Sequence, residues 1–289
     1  MKKKVRIVFI LVLLFLTVFI WQRVFALSRD SLLEVDFLNV GQGDSILIEM
    51  PYQNQVLIDG GPSSDAVEKV AKEMPFFDRK IEMVILTHPD RDHITGLFSI
   101  LDTYKVEKVL LPNIGYFDSE KRKVLYETLK KKIREQGGKV IFGKRGQRIS
   151  FSENSRFLIL WPIDNLKIKD NNDYSIVSLF SFGNMDFLFT GDISKRIEPQ
   201  LFPGNLELKK IEVLKVAHHG SRYSTSESFI KRVSPEIAII SVGKNNYGHP
   251  AREVLDNLRK YGIKIFRTDK NGKIKIISDG NFYKVIPER

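Results

Sequence analysis

The stretch that most constrains this chain runs from Leu86 to Gly96, LTHPDRDHITG, and ends a run of beta-formers, EMVIL. It sets His88, Asp90, Asp92 and His93 within six residues at the mouth of a strand. Two imidazoles and two carboxylates so crowded repel one another, or pay for desolvation, unless a positive charge sits among them. On a strand, His88, Asp90 and Asp92 share a face and His93 does not. A loop leaving the strand can fold all four around two adjacent ions, and such donors suit zinc, manganese or iron. A polar loop capping the next helix explains Asp92 or His93 singly, but not all four.

Cysteine is absent from the 289 residues, which excludes a disulfide framework or disulfide partner, a thiol nucleophile and a thiolate metal site. Any metal must be held by imidazole, carboxylate or amide. The length suits one domain, since alpha/beta and sandwich folds run to about 200–250 residues as single units.

The first residues differ from the rest. Lys2, Lys3, Lys4 and Arg6 precede an apolar run from Ile7 to Trp21, followed by Gln22 and Arg23. Those fifteen residues fall short of the roughly 20 that a bilayer span needs, although Val5 and the Val24–Leu27 patch extend them. Val24-Phe25-Ala26 also offers a signal-peptidase cut. Residues 1–27 are therefore expected to be a signal peptide or a membrane anchor, and 32–289 an extracytoplasmic body, tethered or secreted. Five basic residues belong to the leader, so the net charge of +11 falls to about +6 for the body, a mild bias toward anionic partners. Oligomeric state leaves no mark on the sequence.

From Leu32 onward, short strands alternate with turns and helices. LLEVDFLNVG, DSILIEM and QVLIDGG read as strands, and a helix follows with Ser63 or Ser64 as its cap. A second helix carries Ile94, Leu97, Phe98 and Leu101 on one stripe. A third, over 119–136, turns Leu125, Leu129 and Ile133 inward and a basic face outward. Strands are expected near 139–143, 148–151 and 156–161, then at YSIVSLFSF and MDFLFTGD, joined by a Gly183-Asn184 hairpin. IEVLKVAHHG and EIAIISVG are further strands, with helices near 225–233 and 251–261 and hairpins at Asn271-Gly272 and Asp279-Gly280. Strand clusters with helices in both halves imply two sheets packed face to face, with helices outside.

His218 and His219 follow VLKVA much as His88 follows its own strand, and matching the strand ends makes His218 the ligand and turns His219 to substrate. Gly220 and Ser221 let that loop turn close to the site. Tyr247-Gly248-His249-Pro250 precedes a helix, where His249 serves as ligand, proton donor or phosphate contact. All five histidines thus fall in two candidate regions. Gly41-Gln42-Gly43-Asp44 lacks phosphate-loop spacing and reads as a turn bracing the metal loops, with Asp59 a candidate partner behind a ligand histidine. Ser45, Ser175 and Ser221 lack a His/Asp arrangement that suggests a nucleophile.

The His88 stretch resembles the metallo-beta-lactamase superfamily signature His-x-His-x-Asp-His, with Asp90 in place of the middle His. With NVGQGDSILIE, VLIDGG, NDYSIVSL, FLFTGD, LKVAHHGS and SVGKNNYGHP, it looks like the hydrolase domain of ComEC-type competence proteins. Where that family's DNA-uptake members add a polytopic channel, this sequence shows one leader segment.

The resemblance implies an alpha-beta-beta-alpha sandwich (α/β, four layers) with two divalent ions, zinc or manganese, at one edge. His88 and Asp90 would hold one ion, Asp92 and His93 the other, and Asp192 would bridge them. The superfamily's further histidine has no counterpart between His93 and His218, and Asn172 or Asp173 lies where it is expected. Asp92, His219 and His249 are the expected catalytic residues, and Asn172, Ser175, Ser221, Tyr247 and His249 the expected substrate contacts.

Two ions about 3.5–4 Å apart share a water and lower its pKa toward 7. His249 or His219 would then protonate the leaving group. The expected activity is metal-dependent hydrolysis of a phosphodiester, possible substrates including DNA. Rivals are another exported phosphoester, such as a lipid or wall-polymer headgroup, and a tethered module that binds DNA or a partner without catalysis.

Overall fold

A computed structural model describes residues 2–29, 32–51, 54–164, 166, 168–202 and 210–289, with side chains of the first helix from 6 to 21. That helix, α1, spans Lys2–Arg29, and Ile7 to Trp21 are exposed along it. The side chains of Lys2 to Lys4 and of the Val24-Phe25-Ala26 cut lie outside the described residues. Among those described, no helix is long and apolar enough to cross a membrane.

Beta-branched and aromatic runs build the first sheet: β1 (Leu33–Phe37), β2 (Ile46–Met50), β3 (Asn54–Ile58), β4 (Lys80–Ile85), β5 (Lys105–Pro112) and β6 (Lys139–Gly143). Between them lie α2 (Asp65–Glu73), α3 (Arg91–Thr103) and α4 (Glu120–Glu135). Ser119 caps α4 by accepting from the Arg122 N–H.

The second sheet holds β7 (Arg148–Ser150), β8 (Ser155–Trp161), β9 (Val177–Phe182), β10 (Met185–Phe189), β11 (Val213–Lys215), β12 (Ile237–Ile240) and β13 (Lys264–Arg267). Helices α5 (Glu198–Leu201), α6 (Glu227–Val233) and α7 (Arg252–Lys260) accompany it. A one-turn helix α8 (Thr268–Asn271) then leads to β14 (Ile274–Ser278) and β15 (Tyr283–Pro287), which rejoin the first sheet beside β1. The hairpin expected at Asn271-Gly272 is therefore a crossover between sheets: Asn271 uses its side chain to accept from the Arg267 N–H instead of turning a ladder. The turn at Asp279-Gly280 does join paired strands.

Strand order is β15-β14-β1-β2-β3-β4-β5-β6 in one sheet and β13-β12-β11-β10-β9-β8-β7 in the other. Phe37, Phe157, Phe180, Phe187 and Phe189 pack with branched aliphatics between the sheets. A second apolar layer joins the first sheet to α2–α4, and a third joins the other sheet to α5–α7. The four expected layers are thus present. The runs β3–β6 and β10–β13 are each parallel, so their carboxyl ends gather at one edge, where α/β sheets commonly place their sites.

Candidate metal centre

His88 leaves the end of β4, and Asp92 and His93 occupy the first turn of α3, with Asp90 as its N-cap residue. Close backbone approach fixes this helix start. The Gly60 N–H donates to the His93 carbonyl at 2.7 Å, and the Gly96 N–H to that of Gly61 at 3.1 Å. A Cβ on Gly96 would stand 1.8 Å from the Gly60 oxygen, so only glycine permits the contact. Asp192 follows β10, and its N–H donates to the Ser175 hydroxyl at 3.0 Å.

One oxygen of Asp192 is the hub. Its Oδ2 lies 3.4 Å from His93 Nε2, 3.4 Å from His219 Nε2, and 3.9 Å from both His88 Nε2 and His218 Nε2. His219 Nε2 is also 3.3 Å from Asp92 Oδ2, and His88 Nε2 is 3.8 Å from Asp90 Oδ1. Ligand atoms of His88, His93 and Asp192 fall within 4.8 Å of one another, as do those of Asp92, His93 and His219.

The outward ring nitrogens are engaged behind the cluster. His93 Nδ1 meets Asp59 Oδ2 at 2.8 Å, and Asp59 in turn accepts from the Thr87 N–H and hydroxyl. His219 Nδ1 meets the Ser241 carbonyl at 2.8 Å, and His88 Nδ1 the Thr87 hydroxyl at 3.0 Å. Facing inward, the buried His88 Nε2, His93 Nε2, His219 Nε2 and Asp90 Oδ1 have no hydrogen-bond partner. Unpaired buried polar atoms are costly, and the three nitrogens converge on Asp192 Oδ2 with Asp90 Oδ1 beside His88, so the residues fit a divalent cation or two. His93 and His219 would hold it through Nε2, their Nδ1 atoms being oriented from behind.

Charge follows the same geometry. Burial alone opposes ionisation of Asp192, but His219, His93, His218 and Lys215 outweigh it and hold the carboxyl well below its ordinary value. Burial, reinforced by His93, keeps His88 far below the usual imidazole range, which suits a neutral donor. Burial pushes Asp90 up to about 6, against the pull of Arg122.

The structure sets the His219 ring inside the cluster and that of His218 at its rim, where sequence matching had expected His218 as the ligand. Both adopt left-handed backbone angles, with φ of 50° and 52°, and this strained turn swings the His219 ring inward. Its side chain is 1% exposed, against 28% for His218, which lies on the rim with its ring 5.4 Å from that of His249. Matching strand ends could not foresee a turn of that hand. Tyr247 is exposed, its ring 5.7 Å from His249.

Other expected contacts are placed differently. Ser175 is fully buried under the Asp192 loop, and buried Ser221 accepts from the Tyr223 N–H, so both brace turns and neither opens to substrate. Asp173 does not join the cluster: its oxygens take the Ser194 N–H and hydroxyl and the Arg196 guanidinium. Asn172 is half-buried in the same short turn. On α4, Lys123, Lys130 and Lys131 have acidic partners on the same helix, as a solvated face would.

Three participants escaped sequence reasoning. Lys215, 1% exposed, forms an ion pair with Asp44 and stands 3.6 Å from Asp192 Oδ1. A lysine inside the apolar run IEVLKVA was the available signal. Asp44 does more than brace a turn: its oxygens also approach His219 Nδ1 at 3.6 Å and His93 Nδ1 at 3.8 Å. Arg122, on α4, reaches Asp90 Oδ2 at 2.9 Å.

Two stacked sheets flanked by helices, with a buried imidazole–carboxylate cluster at their shared edge, define a metal-site protein of the alpha-beta-beta-alpha class. The chain belongs to the metallo-beta-lactamase superfamily, whose profile matches residues 38–244. It is 36% identical over 263 residues to ComE operon protein 3 of Bacillus subtilis, covering 84% of this chain and 32% of that protein. Recombination protein 2 of Haemophilus influenzae is 31% identical over 256 residues, 87% of this chain and 29% of that one. Its relatives are thus ComEC-type competence proteins, and the chain spans about a third of their length. A solved metal-dependent hydrolase of the beta-lactamase superfamily shares the fold, with TM-score 0.52 and 14% identity over 83% of this chain and 98% of that one. A diiron beta-hydroxylase from Streptomyces venezuelae gives TM-score 0.54 and 13% identity over 88% and 54%. The superfamily consists generally of metal-dependent hydrolases that bind divalent ions, often two.

Proposed function

We propose that this protein is a metal-dependent phosphodiesterase, acting on DNA outside the cytoplasm and held near the membrane by α1. The observation that carries the reading is the convergence of the partnerless His88, His93 and His219 nitrogens with Asp90, Asp92 and the Asp192 hub. A divalent pair supplies water activation and neutralises charge on a phosphoryl oxygen. His88, Asp90 and Asp192 would hold one zinc or manganese ion, and Asp92, His93, His219 and Asp192 the other.

The protein's own groups do the rest. His93 and His219 are locked by Asp59 and the Ser241 carbonyl, so their rings need not reorganise. His218 lines the rim beside His249 and would pass a proton to a departing alkoxide, while burial lowers His249 to about 4 and suits it to a neutral phosphate contact. Exposed Arg91, Arg222 and Lys244 each adjoin a site loop and offer phosphate contacts, and exposed Tyr223 and Tyr247 offer faces on which bases can stack. The exposed apolar flank of α1 from Ile7 to Trp21 supports membrane association, and the competence relatives support a DNA substrate.

The test is turnover by the full chain on single-stranded DNA, double-stranded DNA and bis-p-nitrophenyl phosphate, with Mn²⁺, Zn²⁺ or no metal. Metal-dependent cleavage lost in Asp92→Ala is expected, fastest on DNA. Metal binding without cleavage of any of the three would transfer the reading to another phosphoester. Absence of metal binding would leave a tethered binding module.

A further inference from the structure

Asp90 has a fixed protein cation hydrogen-bonded to it from outside the two sheets. Arg122 Nη2 donates to its Oδ2 at 2.9 Å, while Oδ1, buried and without a hydrogen-bond partner, lies 3.8 Å from His88 Nε2. The Asp90 side chain makes no cap bond to α3, so it has no other backbone duty. Arg122 is itself anchored: Nη1 donates to Asn171 Oδ1 at 3.1 Å and pairs with Asp118. Asn171 is held by donating to the Tyr116 carbonyl at 2.9 Å. The guanidinium is therefore a strut from α4 and not a mobile arm.

The chemical consequence is specific. A free carboxylate brings two oxygens and a full negative charge to a cation. With a guanidinium on one oxygen it brings a single donor atom, and its charge is offset in part, since Arg122 also serves Asp118. A single donor atom is what a neutral imidazole offers, and Asp90 stands where the superfamily signature has one. Calcium takes six to eight oxygens and favours two-oxygen carboxylates, whereas zinc and manganese accept fewer donors and tolerate nitrogen.

We propose that Arg122 is a specificity-determining residue of the metal centre: it makes Asp90 a one-atom, partly charge-compensated donor and so biases the site against calcium. The proposal rests on the metal-centre reading above. Asp192 has a weaker parallel, its Oδ1 standing 3.6 Å from the Lys215 ammonium.

The test is calorimetric titration of the full chain with MnCl₂, ZnCl₂ or CaCl₂ alone, without substrate. Arg122→Met is expected to narrow the manganese-to-calcium affinity ratio by about ten-fold or more, through a gain in calcium affinity. Asp90→His alone is expected to weaken zinc binding about ten-fold, because the imidazole then faces the Arg122 guanidinium, a donor-only cation still held there by Asp118 and Asn171. The double variant is expected to recover wild-type zinc affinity, a coupling that a purely structural arginine would not produce. Arg122→Gln, which keeps a donor for Asn171, replaces Arg122→Met if thermal unfolding shows that the latter does not fold. Wild-type chain that binds no ion overturns the metal-centre reading and this proposal together. Wild-type binding with an unchanged ratio in the arginine variants, or equal zinc affinity in Asp90→His and the double variant, overturns this proposal alone.

Discussion

The imidazole of His93 and the carboxylate of Asp59 meet at 2.8 Å, Nδ1 to Oδ2, with both side chains sealed from solvent. Asp59 also takes both donors of Thr87, so three bonds aim its charge at the ring. Burial works against protonating His93, yet Asp192, Asp59 and Asp92 outweigh it and hold its pKa well above the ordinary value until a metal competes. Asp59→Asn keeps the shape but weakens the orientation. Zinc affinity by calorimetry is expected to fall about 10–100-fold, with turnover falling in step. Unchanged affinity would mean that the ring holds its orientation without the carboxylate.

The two adjacent histidines should separate cleanly. His219→Ala removes a buried nitrogen that faces both Asp92 and Asp192, so metal content after dialysis is expected to drop along with activity. His218→Ala acts at the rim, where metal content is expected to hold while kcat falls about 10²–10⁴-fold as proton transfer is lost. Equal metal loss in both variants would count against the rim assignment.

The two histidines also mark the limit of what the sequence discloses. Strand runs and helix stripes follow from local periodicity, so two sheets with outer helices were legible, and so was the His88–His93 loop. The φ of 52° at His219 is a left-handed angle, which no period of two or 3.6 encodes. Arg122 and Asp90 meet across 32 positions, and Lys215 and Asp44 across two sheets, so both pairs are products of tertiary folding. The return of β14 to pair with β1 is equally non-local, which is why Asn271-Gly272 looked like an ordinary hairpin.

Lys215→Met probes the floor beneath the cluster. Lys215 and Asp44 are 1% and 2% exposed, and removing one partner leaves the other charge buried. Urea unfolding is expected to show a loss of about 3–5 kcal/mol, and Lys215→Met with Asp44→Asn to regain much of it. A small loss in the single variant would mean that the pair is reached by water.

Gly96→Ala tests the helix start. The added methyl would collide with the Gly60 and Ser63 carbonyl oxygens, at 1.8 and 2.6 Å, and push α3 away from β3. Overpacking of this kind costs about 1–3 kcal/mol. Because His93 rides on the displaced turn, metal affinity is expected to fall as well, a combination that separates this variant from a remote destabilising one.

A last prediction concerns pH and lies away from the metal. On the first sheet, burial pushes Asp36 up to about 6 and Glu49 up to about 7, with Lys275 opposing both shifts. Lys275 Nζ is 3.2 Å from Asp36 and 3.3 Å from Glu73, and it also pairs with Glu34, so one ammonium serves several carboxylates. These pKa values are raised in the folded state, so between about pH 4 and 7 these two groups bind more protons in the folded chain than in the unfolded one. Stability from these groups is therefore present at low pH and is lost as pH rises through 6 to 7. With EDTA present to remove metal linkage, the urea midpoint is expected to fall between pH 5 and 8. Glu49→Gln, which cannot ionise, is expected to flatten that fall by on the order of 1 kcal/mol. An equal slope in both proteins would show that Glu49 keeps an ordinary carboxylate's affinity for its proton and that Lys275 compensates it in full.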